Sequence, residues 1–184
     1  MKLSTILFSA LLLLFACQAE VDPAKLEKVD ALKSRIDSSY ETFAQVDSAK
    51  AMASSKHYAE NMVYIKSDYR DTISKEIADF FDEYYSIRKA MKLIGGKYGK
   101  ASRELRTTKS RLDNLEHDLN NDLIEEEQFK QYIQLEQNNV ALIEESVNDV
   151  YHAYQTVQPM YDRMNPRIDS LIAESKRKAA LPKE

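Results

Sequence analysis

From Ile73 onward apolar residues recur at alternating spacings of four and three: Ile73, Ile77, Phe80, Tyr84, Ile87, Met91, Ile94, Tyr98, Ala101, Leu105, Thr108, Leu112, Leu115 and Leu119. Only Thr108 is polar. A mean period of 3.5 residues describes a helix with a narrow seam that packs along its length against another helix. A second series of the same period follows: Phe129, Ile133, Glu136, Val140, Ile143, Val147, Val150, Tyr154, Val157, Tyr161, Met164, Ile168 and Leu171, with only Glu136 polar. Between them, Asn120-Asn121-Asp122 is turn chemistry, and Asp122 is a candidate cap for the following helix. Glu125, Glu126 and Glu127 then put carboxylates at the positive end of its dipole. So short a connection makes the two helices antiparallel neighbours.

The two series test each other. Folding the chain about residue 122 pairs Leu115 with Phe129, Leu112 with Ile133, Leu105 with Val140 and Tyr98 with Val147. It goes on to pair Ile94 with Val150, Met91 with Tyr154, Tyr84 with Tyr161, Phe80 with Met164 and Ile77 with Ile168. The one polar seam residue of each series, Thr108 and Glu136, falls into a shared layer by the same rule. Pro159 and Pro166 interrupt the second series, but its apolar pattern continues through both, which predicts a kink or short break without reversal.

Upstream, Pro23 suits a first helical turn. Leu26, Val29, Leu32, Ile36, Tyr40, Phe43 and Val46 then form an amphipathic stripe, which fades through 49–55 and resumes at Tyr58, Met62, Ile65 and Tyr69. Segments 24–66, 72–120 and 125–177 are of similar length, about 65–80 Å at 1.5 Å per residue. The expected fold is all-α: an elongated antiparallel up-down-up bundle of three helices with a long coiled-coil-like hairpin. A break near Ser54-Ser55 would make it four. The bundle domain is assigned to residues 24–178, followed by a flexible tail at 179–184.

Composition narrows the alternatives. Three glycines and four prolines stand in 184 residues, against roughly 13 and 9 at average usage. Sandwiches, barrels and βαβ folds spend these residues at every corner and are excluded on that ground. The single cysteine excludes an internal disulfide framework and any multi-cysteine metal site.

The N-terminus carries one lysine, an apolar run from Leu3 to Phe15, and then Ala16 and Cys17. This is the pattern of a secretory signal peptide, residues 1–16, and is too short for a bilayer span of about 20 residues. Leu14-Phe15-Ala16-Cys17 resembles the lipobox of bacterial lipoproteins. The resemblance implies cleavage before Cys17, a diacylglycerol thioether on its sulfur, commonly an N-acyl chain (palmitate) as well, and a lipidated tether over 17–23. Two or three acyl chains anchor stably where one is marginal. Such proteins lacking Asp after the cysteine usually reach the outer membrane, and Gln18 stands there. Removing residues 1–16 takes away one lysine and no acid, moving the net charge from −4 to −5, which gives no reason to expect nucleic acid.

Within the bundle, all three glycines fall in Gly95-Gly96-Lys97-Tyr98-Gly99. The spacing is not that of a phosphate-binding loop. Each glycine costs a helix ~1 kcal/mol relative to alanine, so the cluster predicts a kink, a close helix approach, or a partner-binding notch. Residues 88–111 hold nine basic side chains and only Glu104 as an acid, whereas 113–127 hold seven acids and no base. Lys89, Lys92, Lys100, Arg103 and Arg106 take outward heptad positions. With Gly95, Gly96 and Gly99 they form the candidate partner-binding set, for an anionic surface or an acidic protein, against the plainer reading of a solvated face. His57, His117 and His152 are read as surface residues, and no catalytic motif, metal site or cofactor site is present in the spacing. The expectation is a non-enzymatic, lipid-anchored binding or scaffolding module of the periplasm and outer membrane, held to the membrane by its anchor, with a protein partner in the envelope. The alternative is a periplasmic chaperone or assembly factor. The sequence leaves the oligomeric state open.

Overall fold

The computed structural model describes residues 22–181, and among these every regular element is a helix. They are α1 (Pro23–Ala44), α2 (Ser48–Ser67), α3 (Lys75–Ser86), α4 (Arg88–Asn120) and α5 (Glu126–Ala179). The assigned signal peptide and Cys17 lie outside the described residues.

The five helices stand in three columns. α1 and α2 follow one another up the first. α3 and α4, offset only at Ile87, run down the second. α5 alone makes the third. Cross-links between columns fix the directions. Arg111 meets Glu136, Lys97 meets Asp149, Arg163 meets Glu83, Arg167 meets Glu76 and Lys178 meets Asp71. These are the heights at which a fold about residue 122 places them, so the second and third columns are antiparallel. The first column lies antiparallel to the second, through Lys33 with Asp113 and Glu116 and through Lys109 with Asp37. It is parallel to the third, through Lys25 with Glu126, Arg35 with Glu144 and Lys50 with Asp162. The bundle is therefore all-α and up-down-up, as its periodicity predicts.

Local chemistry starts and stops each element. Asp22 caps α1, accepting from Ala24 N–H at 2.9 Å ahead of Pro23. Asp47 caps α2 through Lys50 N–H at 2.9 Å, and Ser74 caps α3 through Ile77 N–H at 3.3 Å. Each satisfies a donor that the first helical turn leaves unpaired. The first column breaks at 45–47, where Asp47 supplies the cap, and not at Ser54-Ser55. Those two serines lie inside α2 and use their hydroxyls across the bundle: Ser54 accepts from Gln158 at 2.9 Å, and Ser55 donates to the Met91 carbonyl at 2.9 Å.

At the bend, Leu123 N–H donates to Asp118 O at 2.9 Å and Asp122 N–H to Leu119 O at 3.2 Å. This is a Schellman closure of α4 with Asp122 left-handed at φ 53°. Asp122 thus ends α4, and Glu125 occupies the cap of α5, its N–H donating to Gln128 Oε1 at 3.4 Å. α5 runs unbroken through Pro159 and Pro166. Both prolines, and Gln155 and Asp162 four residues before them, are exposed, so the carbonyls the prolines leave unpaired face water.

The seam residues from Tyr84 to Leu119 are buried except Tyr98, which is half-buried and stacks on Phe43 at 4.5 Å between centroids. Ile73 is the exception at the start, lying exposed ahead of α3. On α5 the buried stripe runs from Phe129 to Ile168 and then steps to Ile172 and Ser175, leaving Leu171 half-buried. The Thr108–Glu136 layer is as the pairing rule places it, with Arg111 joining its halves. Its guanidinium lies 2.7 Å from Glu136 Oε1 and donates to Thr108 Oγ1 at 2.8 Å. Glu136 is only 5% exposed, and Asn139 donates to its other oxygen at 3.3 Å.

Removing Arg111 leaves that carboxylate buried and unpaired. Arg111→Ala is expected to cost about 2–3 kcal/mol, below the full buried-pair figure because water reaches the half-exposed arginine. Glu136→Leu combined with Arg111→Leu should restore stability to within about 1 kcal/mol of the parent, both read by urea denaturation.

Candidate functional site

Three regions carry polar or exposed character that packing alone does not require. The first is the glycine and cation set on α4. The helix passes through Gly95, Gly96 and Gly99 without a break. The three glycines have different surroundings. A Cβ at Gly95 would lie 2.5 Å from Ser55 Oγ, which makes it the point of close approach between α2 and α4. A Cβ at Gly96 would meet nothing within 4 Å, and one at Gly99 only the end of Arg103 at 3.7 Å. Gly96 and Gly99 therefore weaken the helix without any return in packing. Lys89, Lys92, Lys100, Arg103 and Arg106 are all exposed around them. Lys100 reaches Glu104 at 3.6 Å. Lys89, Lys92, Arg103 and Arg106 make no ion pair among the described residues. The result is a strip of positive charge over bare backbone, whose Lys100 and Arg103 reach the rim of the groove between α4 and α5.

The second region was not legible as a site in the sequence. Between α4 and α5, on the flank opposite α1, runs an open groove lined by Lys97, Lys100, Arg103 and Arg111 from α4 and by Asn139 and Leu142 from α5. Tyr132, Leu135 and Leu142 stand on this side of α5 at 51%, 54% and 64% exposure. The signal was present as a second four-three series on α5 beside the core one, but half of its members are polar.

The third is a polar stretch of core at the end far from the bend. Asn165, 8% exposed, accepts from Asn61 at 3.1 Å and from the Tyr84 hydroxyl at 3.0 Å, and donates to Asp169 at 2.7 Å. Asn61 also donates to Asp169 at 2.9 Å. His57, read from sequence as a surface residue, joins this network, with Nδ1 2.9 Å from the Tyr161 hydroxyl and Nε2 3.3 Å from Asp169. Its side chain remains 44% exposed, and His117 and His152 are exposed as expected. Burial pushes the Tyr58 and Tyr161 hydroxyls up to about 12, and that of Tyr84 higher, so all three are neutral donors at physiological pH. The buried hydroxyl of Tyr58 and Oε1 of Gln158 have no partner among the described residues. The arrangement performs register and packing: polar groups pair at fixed heights where α3, with only Tyr84 buried, contributes little apolar surface. Among the described residues no group of three His, Cys, Asp or Glu side chains converges to hold a metal ion, and no helix is long and apolar enough to cross a membrane.

Substituting the glycines separates their roles. Gly96→Ala and Gly99→Ala should each raise stability by about 1 kcal/mol, measured by thermal melting. Gly95→Ala should gain less or lose, because Ser55 must release the Met91 carbonyl, and Ser55→Ala in the same chain should recover the helix-propensity gain.

Comparison with known protein families, with curated proteins and with solved structures finds no match to this chain.

Proposed function

We propose that the protein is a lipid-anchored component of a bacterial cell envelope, most simply of the outer membrane, whose helical bundle works as a non-catalytic binding or scaffolding module. The anchor rests on Leu14-Phe15-Ala16-Cys17, with the chain's one cysteine where a lipobox requires it. Four residues separate Cys17 from Asp22, the cap of α1, and the five chain steps reach about 17 Å when extended. An acylated Cys17 therefore holds the α1 end of the bundle against the bilayer. That is also the bend end, since Lys25 pairs with Glu126.

The observation that carries the binding role is the strip on α4. Four cations without ion-pair partners among the described residues surround Gly96, which faces open space, and Gly99, which meets only the end of Arg103. Bare backbone lets another surface approach closely, and unpaired Lys and Arg supply the charge that an acidic partner answers. The strip begins roughly 21 Å along the column from the bend, counting helical rise from Asn120 to Arg106.

Cells fed labelled palmitate should incorporate label into the wild-type chain and not into Cys17→Ala, and blocking lipoprotein signal cleavage should leave a larger labelled precursor. A photo-crosslinker at Gly96 should give a discrete adduct in cells. Joint reversal of Lys89, Lys92, Arg103 and Arg106 to Glu should abolish it with helicity unchanged. Label independent of Cys17 overturns the anchor, and an adduct indifferent to charge reversal overturns the binding strip.

A further inference from the structure

The α4/α5 groove carries two patterns that share one centre. On α5, Tyr132, Leu135, Asn139, Leu142 and Ser146 follow the four-three spacing of a helical seam. The bundle does not cover this seam: α1 is tied to the opposite flank through Arg35–Glu144 and Lys25–Glu126. A heptad stripe that leaves two leucines more than half exposed is a packing surface without its partner. Reversed end for end, the stripe matches itself, Leu135 exchanging with Leu142 about Asn139.

The second pattern is electrostatic. Along the same flank of α4, Lys97, Glu104, Arg111 and Asp118 stand at intervals of seven residues with alternating sign; within the chain Lys97 also reaches Asp149 and Arg111 reaches Glu136, and each cation keeps nearly half of its side chain exposed, 49% and 44%. Reversed about its midpoint at Thr107-Thr108, this row becomes its own complement: Lys97 opposes Asp118, and Glu104 opposes Arg111. A row read against itself in parallel would set like charge on like. The midpoints lie within about 3 Å in height, because Arg111 binds Thr108 and Glu136 together and so fixes the register of α4 against α5.

We propose that this groove receives a second copy of the same chain, antiparallel, with a twofold axis crossing the bundle at the Thr108–Asn139 layer. A twofold lying in the contact plane and perpendicular to the helices lays α5 on α5 and α4 on α4. It puts Leu135 of each copy against Leu142 of the other, and Lys97 and Glu104 against the other copy's Asp118 and Arg111. A twofold parallel to the helices would instead press the exposed leucines onto the charged row of α4, which excludes that arrangement. The contact is isologous and closes on itself. Lys89, Lys92, Gly96 and Arg106 stay outside it, while Lys100 and Arg103 line the groove that the second copy fills.

The test uses the full chain with Cys17→Ser, in detergent with more than one micelle per chain, and one new cysteine at a time. Asn139→Cys, beside the axis, should form an intermolecular disulfide under mild oxidation, and Lys89→Cys should not. Leu135→Cys mixed with Leu142→Cys should cross-link at least about tenfold faster than either alone. Leu135→Glu with Leu142→Glu, at positions already exposed, should leave helicity intact and halve the mass in sedimentation. Asp118→Lys should weaken association about tenfold, and adding Lys97→Asp should recover it. A monomer at 0.1 mM, about a hundredfold above a micromolar Kd, or Leu135 cross-linking to itself faster than to Leu142, overturns the proposal.

Discussion

The seam between α4 and α5 is the constraint from which the rest follows. Two helices of more than thirty residues, joined by a tight bend, can bury matching stripes only if both keep the 3.5-residue period and fold about one point. Leu105, Leu112, Val140 and Val150 are fully buried on it. Once that pair is fixed, one of its two grooves is filled by α1 and α2 and the other stays open. The first column then needs only a modest apolar stripe, Val29, Leu32, Ile36 and Phe43, because the hairpin already presents a formed surface. The buried Thr108–Arg111–Glu136 layer contributes alignment more than stability: a one-heptad slip would strand Glu136 among leucines.

Much of this was legible in the sequence because period and bend are local properties that apolar residues report directly. The pairing heights came from counting alone. What counting missed has identifiable causes. The break at 45–47 was hidden because Val46 continues the apolar stripe and is buried, whereas the serines at 54 and 55 looked like a boundary and are packing contacts. Asn61, Gln158 and Asn165 are core residues that carry no hydrophobic signal, and their burial depends on partners more than 80 residues away in the chain. The prolines look like breakers, yet sit on the solvent side of α5, where the helix needs those hydrogen bonds least. The step from Leu171 to Ile172 follows from α5 outrunning a strict heptad, since 3.6 residues per turn drifts against 3.5 over a long rod.

The candidate site was half legible. Charge and glycine positions are visible in any sequence, but which glycine is pressed against a neighbour and which faces open space depends on where the other columns stand. Gly95 has a packing reason supplied by Ser55 on another helix. Gly96, one residue on, has none, and that contrast separates a structural glycine from one free to serve a partner. The two ends of the bundle differ in the same spirit. The bend half is closed by aliphatic layers, while the far half relies on amides, hydroxyls and the ring pairs Tyr58–Tyr84 and Tyr69–Phe81.

Lys25 pairing with Glu126 has a geometric corollary. It puts the chain's leading end beside the hairpin bend, roughly 23 Å in helical rise from the Asn139 layer. Under the proposed antiparallel pairing, the leading ends of two copies sit some 45 Å apart, pointing opposite ways along the long axis. If both carry acyl chains into one leaflet, neither rod can stand upright: the pair must recline, like a plank nailed at two places, with one flank turned to the headgroups. Its footprint on the bilayer is then set by helix length and not by bundle width.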